Sequence, residues 1–144
     1  MTGVQTCALP IFNLKRYTDT QFGLHGLWPQ PEKNIYCGVS SKEKQFDKTH
    51  RWQNLPKLSL GEDTRKALLR VMPGSASNLQ RHEWIKHGTC SGLDAESYYT
   101  QAISLTEQVN SSKLGSFFAE NIGKTVTLQQ VRFKANEKIG RAHV

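Results

Sequence analysis

Helical periodicity, broken up by cap and stop residues, dominates this 144-residue chain, and strand-like sequence is scarce in it. Asp94 can cap a helix whose apolar stripe is Tyr98, Ala102, Leu105 and Val109, a spacing that turns one helix face toward a core. Ser59 with Glu62 has the spacing of a capping box. The helix it predicts carries Ala67, Leu68 and Val71 and is ended by Pro73-Gly74. A shorter helix over 114–122 holds Phe117 and Phe118 and stops near Gly123, and Thr127 with Gln130 marks a further start. Residues 31–57 are polar, lysine-rich and aperiodic, and read as a long loop excursion. Strand character is confined to 21–28 and, more weakly, 124–128.

The reactive side chains cluster in two short segments. In His82-Glu83-Trp84-Ile85-Lys86-His87-Gly88-Thr89-Cys90, a helical advance of about 100° per residue puts His82, Glu83, Lys86 and His87 within one arc of roughly 140°. Trp84 and Ile85 fall on the opposite side, where they can anchor the helix in a core. Gly88 suits the left-handed position that ends a helix. A polar face is usually just a solvated one, but two histidines interleaved with an acid and a lysine also make a candidate site. Zinc chemistry is disfavoured. The residue four after His82 is Lys86, where a metalloprotease helix needs its second histidine. Cys90 has no second cysteine at ligand spacing. No metal or other cofactor is expected.

The second segment is Phe22-Gly23-Leu24-His25-Gly26-Leu27-Trp28-Pro29. Taken alone, a histidine set like His25 is more commonly a satisfied core histidine than a catalytic one. Leu24, Leu27 and Trp28 read as a strand edge or tight turn closed by Pro29 and Pro31, and Gly26 permits close approach of a ligand or backbone.

As a pair, His-Gly-Leu-Trp-Pro and, about 55 residues later, His-Glu-Trp-x-Lys-His-Gly-Thr-Cys closely resemble the two active-site segments of the ribonuclease T2 family. Val71-Met72-Pro73-Gly74 and the run from Lys86 to Gly92 resemble its bacterial, periplasmic-type branch. The resemblance covers roughly residues 12–138. It implies an α+β fold in which helices pack on an antiparallel sheet, here truncated at both ends, because members of that family run longer at both and little strand sequence is present.

The resemblance also implies a chemistry: metal-independent RNA endonucleolysis. The ribose 2′-hydroxyl attacks the adjacent phosphate, leaving a 2′,3′-cyclic phosphate that is hydrolysed more slowly. By similarity, His87 is the base and His25 the acid, roles that suit imidazoles because their ordinary pKa lies near neutrality. Lys86 and His82 would hold the phosphate and stabilise its developing charge, and Glu83 would orient or charge-balance the cluster or, if protonated, polarise the phosphate. Trp28 and Tyr36 correspond to base-stacking positions, with core packing as the alternative for each. Gln30 stands where some relatives carry a base-reading aspartate, which leaves base preference open and favours broad specificity. Cys37 and Cys90 resemble a disulfide pair of the family, worth on the order of 4 kcal/mol by loop entropy. Such a bond implies a periplasmic or secreted setting.

The formal charge of +7 suits a polyanionic substrate, and no run approaches the ~18 apolar residues of a membrane span. The expected partner is RNA, met by a monomer away from membranes. Residues 1–11 and 139–144 resemble translations of a sequencing adapter; divergent natural termini are the alternative. On the first reading the natural ends and any signal peptide are missing, and Cys7 and His143 carry no function. Two rival functions stay open: a catalytically silent RNA-binding fragment and a metal-dependent hydrolase.

Overall fold

Capping chemistry sets most of the element boundaries in a computed structural model of the chain, which describes residues 17–136. The adapter-like segments 1–11 and 139–144 lie outside the described residues, as do Cys7 and His143. Six α-helices follow one another: α1 (Ser41–Lys48), α2 (Glu62–Val71), α3 (Leu79–Lys86), α4 (Ala95–Asn110), α5 (Lys113–Glu120) and α6 (Leu128–Asn136). Single 3-10 turns at Trp52–Asn54, Pro73–Ser77 and Gly88–Cys90 join some of them.

Asp94 caps α4 as its position predicts, its Oδ1 accepting the Ser97 N–H at 2.7 Å. Thr127 and Gln130 make reciprocal bonds at the start of α6 (2.8 and 3.2 Å). Two local expectations are corrected. Ser59 does not cap α2; the N-cap is Gly61, whose N–H donates to the Glu96 carboxylate at 2.8 Å. A distant side chain on α4 thus ties down the start of α2, which has no side-chain cap of its own. Residues 31–57 are also not wholly loop, because α1 starts inside them on a capping box between Ser40 and Glu43. That helix is so polar that hydrophobic periodicity does not reveal it.

The expected antiparallel sheet is overturned: no strand forms among the described residues. The reason is visible in where residues 21–28 send their backbone groups. Asn110 brackets Phe22, accepting its N–H and donating to its carbonyl (2.8 and 3.0 Å). Leu24 N–H donates to the Val71 carbonyl at the end of α2 (2.8 Å). The Tyr98 hydroxyl accepts the Leu27 N–H and donates to the Leu27 carbonyl (3.1 and 2.6 Å). Backbone groups withdrawn from water need partners, and here helices supply them where a neighbouring strand would. Residues 124–127 likewise form only the connection from α5 to α6.

The core lies where α2 packs on α4. Leu68, Val71, Met72, Tyr98, Tyr99 and Ile103 form it, with Leu24, Leu27 and Trp84 packed against its rim. The buried face of α4 is therefore rotated from the predicted stripe. Tyr98 and Ala102 are buried, but Tyr99 and Ile103 join them, while Leu105 and Val109 stay exposed. Gly88 also differs from expectation. It is not left-handed; among the described residues, Gly38, Gly92 and Gly123 are the glycines that take positive φ. Its constraint is space, because a Cβ at Gly88 would overlap the Trp84 ring.

Candidate active site

Helix α3 runs beneath residues 24–28 and beside α1, and this brings the two chemical segments together. Its polar arc is not solvated. Glu83 is fully buried, and His87 is only 8% exposed. Glu83 is the centre of the cluster. Its Oε2 accepts the Trp28 indole N–H at 2.9 Å. Its Oε1 lies 3.2 Å from His25 Nε2 and 3.6 Å from His82 Nε2, yet no hydrogen bond of good geometry reaches that buried oxygen. A buried oxygen without a hydrogen bond is costly. Placed between two imidazoles, it is an acceptor toward which either ring can turn a proton.

Gly26 makes this approach possible. A Cβ there would collide with Glu83 Oε2 and crowd the Trp28 indole nitrogen. Gly26→Ala is therefore expected to destabilise the protein by about 1–3 kcal/mol, the usual cost of overpacking, and to displace the carboxylate. Thermal melts of the variant and wild type check this, and superimposable curves would show that residues 25–28 shift freely.

His87 follows the last residue of α3, its N–H donating to the Glu83 carbonyl (2.9 Å). The Trp28 ring stacks on its imidazole, with centroids 5.0 Å apart and planes 25° from parallel. Burial, followed by the neighbouring Lys86, His82 and His25, pushes its pKa down to about 4, against the opposing pull of Asp47. At neutral pH this imidazole is an unprotonated acceptor. His25 is its opposite in setting, with a side chain 66% exposed. Its ring meets the edge of Trp28 at 6.0 Å, so the indole stands between the two imidazoles.

His82 is held from behind. Its Nδ1 lies 2.6 Å from Asp47 Oδ1, and the Trp52 ring stacks on it at 4.8 Å. Tyr36 donates its hydroxyl to Asp47 Oδ2 (2.8 Å) and its N–H to the Lys86 carbonyl (2.9 Å). These bonds hold it at φ 57°, a left-handed conformation that is strained for a bulky residue. Trp28 remains 53% exposed. Gln30 is exposed and stands outside the hydrogen-bond network among the described residues. Cys37 and Cys90 are joined by a disulfide, Cα atoms 5.0 Å apart, which ties the Tyr36 loop to the turn after α3. Among the described residues, no group of three or more His, Cys, Asp or Glu is arranged to hold a metal ion, and no helix is long and apolar enough to cross a membrane.

Asp47 and Trp52 were not singled out from the sequence. The Ser40-x-x-Glu43 spacing could have revealed α1, but nothing local marks Asp47, 3% exposed, as the residue facing His82.

The arrangement can accept a proton at His87, donate one at His25 and hold an anion with Lys86 and His82. The profile of the Ribonuclease T2 family matches residues 4–142. Ribonuclease I of Escherichia coli (strain K12) is 32% identical over 120 residues, covering 72% of this chain and 45% of that protein. Ribonuclease 1 of Arabidopsis thaliana is 32% identical over 124 residues, covering 83% of this chain and 51% of that protein. The chain thus spans about half the length of these curated relatives.

Proposed function

The chain belongs to the ribonuclease T2 family, and from that membership we propose that it cleaves RNA endonucleolytically without a metal ion. The ribose 2′-hydroxyl is the nucleophile. His87 takes its proton, the 2′-oxygen attacks phosphorus, and the 5′-oxygen leaves with a proton from His25. The products are a 2′,3′-cyclic phosphate and a free 5′-hydroxyl, and slower hydrolysis then opens the ring. Lys86 and His82 hold the phosphate oxygens as negative charge builds. Glu83 fixes the orientation of the Trp28 indole and charge-balances the two histidines that approach its other oxygen.

The gathering of His25, His82 and Trp28 around the buried carboxylate of Glu83 carries this reading. His87, kept unprotonated beside Lys86, supports its assignment as the base. Bases stack on the open part of Trp28 and beside Tyr36, a sequence-tolerant contact worth about 1–3 kcal/mol per base, and specificity is accordingly broad. DNA has no 2′-hydroxyl and is spared. The Cys37–Cys90 bond favours an oxidising compartment, periplasmic or extracellular.

The test is incubation of RNA with the protein in excess chelator, with the product ends identified. Cyclic-phosphate termini are expected, with rates that fall as salt rises because the chain is basic (net charge +7). Binding without cleavage would instead identify an RNA-binding module. Cleavage abolished by chelator would identify a metal-dependent hydrolase.

A further inference from the structure

The catalytic reading leaves two neighbours of His82 without a role, the buried Asp47 and the half-buried Trp52. Asp47 divides its carboxylate between two partners, Oδ1 facing His82 Nδ1 at 2.6 Å and Oδ2 accepting the Tyr36 hydroxyl at 2.8 Å. Trp52 stacks on the His82 ring with planes 21° from parallel, and its indole N–H donates to the Asp47 carbonyl at 3.3 Å. One contact sets the plane of the imidazole and the other its rotation within that plane. The only ring nitrogen left toward the cluster is Nε2, 3.6 Å from Glu83 Oε1.

We propose that Asp47 is a positioning residue that keeps a proton on His82 Nδ1 and thereby aims Nε2 at the phosphate. The inference rests on the reading of His82 as a phosphate-binding group. An ionised carboxylate can only accept hydrogen bonds. A carboxylate at Nδ1 therefore selects the tautomer protonated there. When Nε2 also carries a proton to meet a phosphate oxygen, Asp47 balances the charge. Tyr36 reinforces the arrangement from the other oxygen. Burial and the bond to Asp47 push its pKa upward, so it stays a neutral phenol and a hydrogen-bond donor. Its left-handed backbone, tied to the Lys86 carbonyl, links the loop before the disulfide to the same carboxylate.

Asp47→Asn keeps the side-chain shape while replacing the obligate acceptor with an amide. Loss of one charge-assisted hydrogen bond predicts a fall in kcat/KM of about 10- to 100-fold. Because the effect passes through His82, adding Asp47→Asn to His82→Ala is expected to cost nothing more. A further loss in the double variant would mean that Asp47 acts elsewhere. Nitrogen-15 NMR of the histidine rings supplies a readout independent of activity. Neutral His82 is expected to carry its proton on Nδ1 in the wild type and to shift toward Nε2 in Asp47→Asn. A wild-type ring protonated at Nε2 overturns the proposal, and that spectrum decides even if Asp47→Asn does not fold. A wild type that shows the Nδ1 tautomer but fails to cleave RNA would sink the ribonuclease reading while leaving the positioning of His82 intact.

Discussion

His87→Ala is expected to lower kcat/KM on RNA by about 10²- to 10⁴-fold, the usual worth of a positioned acid–base group. The expectation follows from two properties of this imidazole that the other histidines do not combine. It is buried beneath Trp28, and burial, Lys86, His82 and His25 bring its pKa down to about 4. A base must be unprotonated in the free enzyme, so the acid limb of the kcat/KM profile should fall near pH 4 and not near the ordinary histidine value of about 6.5. His25→Ala should cost a comparable factor by removing the acid while leaving that limb in place. Near-normal cleavage by His87→Ala, or an acid limb that stays near 4 in it, would remove His87 from the mechanism.

The same shift has a stability consequence of definite sign. The folded pKa of His87 lies below its unfolded value, so protons bind the unfolded chain more readily in the interval between them. Stability due to the neutral buried ring is complete above about pH 6.5 and is lost as pH falls toward 4. Melts across that window should show this loss in the wild type and a weaker pH dependence in His87→Ala.

Reduction of Cys37–Cys90 is expected to destabilise the protein by about 4 kcal/mol, because the bond closes a loop with its ends 53 residues apart in sequence. That is a large part of the ~5–15 kcal/mol that holds a typical domain folded. The effect should reach the site, since the bond lies one residue beyond Tyr36 and three beyond His87. Denaturant midpoints with and without reductant, and with both cysteines replaced by serine, measure it. Equal midpoints, or two alkylatable thiols in the oxidised protein, would contradict the prediction.

Much of the candidate site was legible in local sequence. The helical phase of residues 82–87 gathered His82, Glu83, Lys86 and His87, and α3 brings them to one cluster, although on a buried face where a solvated one was the simpler expectation. The caps at Asp94 and Thr127 were equally readable, because a cap and its N–H partners lie within three residues of each other. The antiparallel sheet, by contrast, came from family resemblance and not from strand sequence, and residues 21–28 found helical partners instead.

Periodicity and capping are interactions between near neighbours, so the chain by itself determined where most helices run and which reactive groups share α3. Only tertiary packing decided that Glu96 accepts the Gly61 N–H at the start of α2, that Tyr98 satisfies Leu27, and that Asp47 on an unremarked polar helix faces His82. Those pairings join residues 35 or 71 positions apart. No local pattern encodes them, because each depends on which distant polar groups the packed helices bring within hydrogen-bond reach.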